Sequence, residues 1–178
     1  MARIAHMIML FTAHTGKMVI PTVTDVVAAY SAVSGYDPSQ TQPDGSNPTD
    51  AGCETPDVLN YWRDTGIGGH KIVSWQTVNQ ANLAEVKQGL YLFGGVAIDI
   101  AIYQSMMDQT NANQPWDNPS GDLLGYHAVP IFGYGSEGNT CVTWGALQQM
   151  GWPTFSQVCQ GAYVVRTPDW VPPHGYKG

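Results

Sequence analysis

Residues 125–135, Gly-Tyr-His-Ala-Val-Pro-Ile-Phe-Gly-Tyr-Gly, constrain this chain more than any other stretch. One histidine heads an apolar, β-branched run that Gly-Tyr-Gly closes, which predicts a buried strand ending in a tight turn. Similar short apolar runs at about 96–102, 140–144 and 162–166 predict further strands. Every strong helical pattern comes earlier, before Gly94-Gly95. Helices first and strands later is an α+β order, not an alternation of βαβ units.

Ile4, Met7, Ile8, Met9, Leu10 and Phe11 leave almost no polar face on the first helix, 2–13, so it is expected to be buried on nearly all sides before Gly16 ends it. His6 reads as a satisfied interior histidine, and His14 as a solvent-facing one near a helix C-terminus. Thr22 with Asp25 signals a cap for a second helix that runs to about Ser34, ahead of Gly35. Thr55-Pro56 predicts a third, capped by the threonine, with Val58, Leu59, Tyr61 and Trp62 as its buried face. His70 to Trp75 alternates as a strand, and Asn82 with Glu85 starts a helix through Phe93.

Residues 36–50 hold three prolines and many small polar residues, which predicts a surface excursion: a solvated insertion or a binding edge. A second polar loop, 111–121, carries Trp116. The proline-rich tail 168–178 cannot continue a helix or an inner strand. With Trp170 and Tyr176 it is expected to dock on its own body, or on a neighbouring subunit to give a homo-oligomer.

The 178 residues, 43% of them hydrophobic, can bury one sizeable core or two packed lobes. A net charge of −7 with seven Lys plus Arg argues against nucleic acid or an anionic membrane as partner. The longest apolar run is about a dozen residues, short of the ~20 that span a bilayer, and no cleavage site follows it. The expectation is a soluble chain with no visible address. Cys53, Cys141 and Cys159 are odd in number and show no metal-ligand spacing, and the five histidines show no paired spacing either. No cofactor or metal is expected, and the cysteines read as small buried hydrophobes.

His127-Ala128-Val129 with Gly133-Tyr134-Gly135, and Trp144-Gly145 downstream, resembles the histidine strand and the Ser-Trp-Gly strand of papain-like cysteine peptidases. Val96-Ala97-Ile98-Asp99 is similar to the strand before that histidine, and Gly161 to Val165 to the family's closing strand. Gly52-Cys53 resembles the start of its second helical segment. The likeness, to a bacterial or phage-type member, covers nearly the whole chain. It implies a two-lobed α+β fold in a single domain, with a helical lobe over about 1–95, an antiparallel β-sheet or barrel over about 96–167, and the tail 168–178. The family's secreted members rely on several disulfides, so three cysteines point to a reducing compartment or a virion. In the family the polar loop before the histidine strand can overhang the cleft, which would place Trp116 there.

A thiol peptidase needs a thiolate held near a histidine whose ring a third polar group orients. The resemblance makes His127 the base, Trp144 the indole that shields it, and Val142 the residue standing in place of the orienting asparagine. An ordinary core histidine is the other reading of residue 127. The family's nucleophilic cysteine opens the first long helix, where this chain has Met1 and Ala2, and Cys53 reads either as a replacement nucleophile or as a structural cysteine at the rim. Three functions follow: a papain-like fold without a working site, serving as a structural or binding module for a peptide or protein; an active cysteine peptidase or amide hydrolase whose cysteine lies just upstream of Met1; or a peptide- or glycan-binding protein that uses the two polar loops.

Overall fold

A computed structural model describes residues 1–170. The helices are α1 (Ala2–His14), α2 (Val23–Ser34), α3 (Thr55–Asp64), α4 (Leu83–Phe93), α5 (Gln104–Asn111) and α6 (Trp152–Val158). The strands are β1 (Ser74–Val78), β2 (Val96–Tyr103), β3 (Leu123–Tyr134), β4 (Gly138–Thr143), β5 (Ala146–Gly151) and β6 (Cys159–Arg166), in one antiparallel sheet of order β1-β6-β2-β3-β4-β5. This is the α+β architecture that the order of patterns predicts.

Several element ends follow local chemistry. Thr22 caps α2 in a full capping box with Asp25, and Gly35 closes it in the left-handed conformation. Asn82 accepts from Ala84 N and Glu85 N at the start of α4, while the Glu85 carboxylate turns back to Asn79 N. Thr55 departs from expectation: it lies inside α3 after Glu54, and its hydroxyl is engaged in the interior. The strand expected at 70–75 begins only at Ser74, because His70 folds back in a bridge with Ile67 and β1 pairs with β6 over 74–78.

Two apolar cores flank the sheet. One joins α1, α2 and α3 through Ile4, Met7, Phe11, Leu59 and Trp62 to Ala97 and Val165. The other joins α4, α5 and α6 to Val96, Ile98, Ile100 and Ile102. Successive residues of β2 therefore serve opposite cores, as strand alternation requires.

The C-terminal segment is seated as far as Trp170. The Trp62 indole N–H donates to His70 Nδ1 at 3.1 Å, and His70 Nε2 lies 2.8 Å from Asp169 Oδ2. An acceptor at Nδ1 leaves Nε2 as the protonated nitrogen that donates to the carboxylate. Trp170 then packs over Gly94 and beside Phe11 and His14, and donates to Leu92 O at 3.2 Å. Residues 171–178, with His174 and Tyr176, lie outside the described residues, so what is seen of the expected docking is the seating of Asp169 and Trp170.

Candidate functional site

β3 pairs with β2 so that His127 stands opposite Ile100 and Ala128 opposite Asp99. On the other side, β4 and β5 are joined by Trp144-Gly145 alone, since Thr143 pairs with Ala146. Both loop residues have positive φ, 44° and 77°, which makes the link a type I′ hairpin. That turn lays the indole of Trp144 parallel to the His127 ring, with centroids 4.7 Å apart and planes 7° apart, although Trp144 itself is half exposed. The last residue of β4, Thr143, meets His127 Nε2 with its Oγ1 at 2.8 Å.

The ring of His127 is thus held between a hydroxyl and an indole. Val142, in the place expected for the orienting residue, alternates to the other face of β4, and Thr143 makes the contact instead. Burial lowers the pKa of His127, with help from the positive charges of Arg3 and the amino group of Met1.

His127 lines a cleft of about 790 Å³ whose opposite wall is Met1 and Arg3 of the α1 start and Cys53 to Thr55 ahead of and within α3. Arg3, only 4% exposed, donates through Nη1 to Asp99 Oδ1 at 2.8 Å and to Ile98 O at 2.9 Å, and through Nη2 to Thr55 Oγ1. The Thr55 hydroxyl in turn donates a hydrogen bond to Asp99 Oδ1 at 2.7 Å. One buried node therefore ties α1, α3 and β2 together beneath the cleft. Tyr163 lines the cleft as well, its phenol raised above its usual pKa by burial and by Asp99.

Cys53 is exposed and lines the cleft, which corrects the expectation that all three cysteines are buried. Partial desolvation of its thiol pushes the pKa up, against the pull of the nearby amino group and Arg3. Cys141 and Cys159 are buried and pushed up to about 12. Trp116 does not overhang the cleft. It is fully buried, donates to Met106 O and Thr110 Oγ1, and meets Trp144 edge-on at 6.2 Å. Among the described residues no group of three or more His, Cys, Asp or Glu could hold a metal ion, and no helix is long and apolar enough to cross a membrane.

Sequence reasoning overlooked Arg3, Asp99, Thr55 and Thr143. A signal for the first two was present: one cation in a helix apolar all round and one carboxylate in a buried strand must each find a partner.

No protein-family model matches the chain, and no curated protein does. Among solved structures it is similar to the Carica candamarcensis cysteine protease CMS1MS2 in complex with E-64, with a TM-score of 0.52 and 14% identity over 80% of this chain and 85% of that one. Helices over an antiparallel sheet, with a histidine on one wall of the cleft and the start of the first helix on the other, give this chain a papain-like α+β fold.

Proposed function

We propose that this papain-like chain is a binding module whose cleft holds an extended peptide beside His127 without cleaving it. The observation that carries this reading is geometric: His127 Nε2 is engaged by Thr143 Oγ1, and Cys53, the one thiol that lines the cleft, makes no hydrogen bond to the ring among the described residues. Cys53 is shifted away from the thiolate, whereas a nucleophilic cysteine needs its pKa lowered. His127 is likewise disposed to stay neutral, which suits a hydrogen-bonding wall more than half of an ion pair. Iodoacetamide at mildly acidic pH tests the reading: Cys53 is expected to label slowly and no faster than a free thiol. Rapid stoichiometric labelling, or hydrolysis of a fluorogenic peptide that His127→Ala abolishes, overturns it.

A second reading, a thiol hydrolase whose nucleophile precedes Met1, is favoured by the placing of the α1 start on the same cleft as His127. N-terminal sequencing of the native protein with its intact mass separates the two. A cysteine-bearing segment ahead of Met1 decides for the hydrolase.

A further inference from the structure

β5 is an edge strand, and half of its outer edge is already taken. Trp116 N donates to Gln149 O at 2.8 Å and Gly151 N donates to Trp116 O at 3.3 Å, a parallel pairing of Trp116 with Met150. These two bonds show which groups of β5 turn outward. In an antiparallel ladder alternate residues point both backbone groups away from the partner strand. Gln149 and Gly151 do so, and Leu147 does so by the same alternation. The chain leaves the edge before reaching Leu147, because Gln114 N bonds to Gln109 O and Gln114 O accepts from the Gln148 side chain. Leu147 N–H, Leu147 C=O and Gln149 N–H have no hydrogen bond among the described residues.

A groove of about 540 Å³ runs beside this open edge, and no charged side chain lines it. Leu147 is 76% exposed and Trp144 half exposed at its rim. Gln148 is buried, and its Nε2 is committed to Gln114 O and Gln149 O, which leaves Oε1 as the acceptor that it offers to the groove. None of the residues that line the His127 cleft lines this groove.

We propose that the free edge of β5 takes an extended, uncharged segment of a partner protein as a further strand, parallel to β5 and continuing the pairing that Trp116 begins. One residue of such a strand donates to Leu147 C=O and accepts from Gln149 N–H, and the residue two before it accepts from Leu147 N–H, so all three groups are met. An antiparallel strand opposite Leu147 leaves Gln149 N–H unmet. Strand addition draws affinity from the backbone and selectivity from the side chains beside it, and here Leu147 and Trp144 select for apolar residues.

The test is selection of random linear peptides displayed on phage against the full chain, followed by binding of the enriched peptides to variants. Leu147→Pro removes one outward N–H at a position where an edge strand tolerates proline, and the expected loss is roughly tenfold. Leu147→Lys keeps the N–H at an exposed site, cannot harm folding through the core, and is expected to weaken apolar peptides at least as much. Tyr126→Ala, at an exposed residue that lines the His127 cleft and not this groove, is expected to leave their affinity unchanged. Peptides that bind both Leu147 variants like the parent overturn the proposal, as does a selection that enriches nothing. Loss with Tyr126→Ala assigns the peptides to the cleft, which sinks this proposal and leaves the binding-module reading standing. Binding of a neutral oligosaccharide in place of peptides, or a dimer of the parent chain that Leu147→Lys dissociates, also overturns it.

Discussion

Trp144 occupies a backbone conformation that asparagine adopts far more readily, at the first loop position of a type I′ turn. A bulky residue there costs on the order of 1–3 kcal/mol, and what the structure gains is an indole stacked on His127. Trp144→Asn is therefore expected to leave thermal stability equal or slightly higher. The same change uncovers the ring, so the pKa of His127, lowered mainly by burial, is expected to rise toward the ordinary value of about 6.5. Titration of the imidazole carbon-bound protons by NMR reads both proteins, and an unmoved His127 shows that the indole does not desolvate it. At this scale the sequence disclosed His127 and Trp144 because both sit in a recognisable run. It did not disclose Thr143, because a threonine beside a turn has no sequence mark that distinguishes a ring-holding hydroxyl from any other.

Among the elements, the node of Arg3, Asp99 and Thr55 governs how α1 and α3 sit on β2. Removing Arg3 leaves the carboxylate of Asp99, 27% exposed in the cleft, without its buried cation, so Arg3→Met is expected to cost about 1–3 kcal/mol in urea unfolding. Combining it with Asp99→Leu is expected to recover a large part of that, and a simply additive double variant shows that the two groups are not coupled. Gly94→Ala attacks another junction. A Cβ there would lie 2.5 Å from the Trp170 ring on a backbone with φ of 73°. Overpacking and strain together are expected to cost about 2–4 kcal/mol, and Trp170 fluorescence is expected to shift to the red as the ring leaves its seat. The elements that could be read in advance carry their own punctuation, such as the Thr22 and Asp25 box or the Asn82 cap. Those that could not are held by tertiary contacts. α5 is short and polar, β5 is an edge strand half covered by Trp116, and α6 starts at Trp152 with no capping side chain. The apolar alternation at 70–75 misleads because His70 answers to Trp62 and Asp169 and not to a strand partner.

For the molecule as a whole, acid is expected to act in two steps. His127 and His6 are both lowered by burial, so their folded pKa values lie below the unfolded one. Above about 6.5 neither state carries the proton and stability is full. As pH falls through that value the unfolded chain binds protons first and stability declines. A second decline is expected near and below about 4, where Asp25 loses the charge that Thr22 stabilises at the start of α2. Stability at a series of pH values tests this, and a flat profile between pH 7 and 5 contradicts the histidine step. The sheet order β1-β6-β2-β3-β4-β5 has one more consequence, for the time at which this protein can become itself. The last strand among the described residues is an inner one, lying between β1 and β2. Until β6 arrives, β1 has no partner and β2, apolar on both faces, is an open edge. A nascent chain still held at Val158 is therefore a template for aggregation, and the sheet cannot close until β6 has been made and released to its place between β1 and β2.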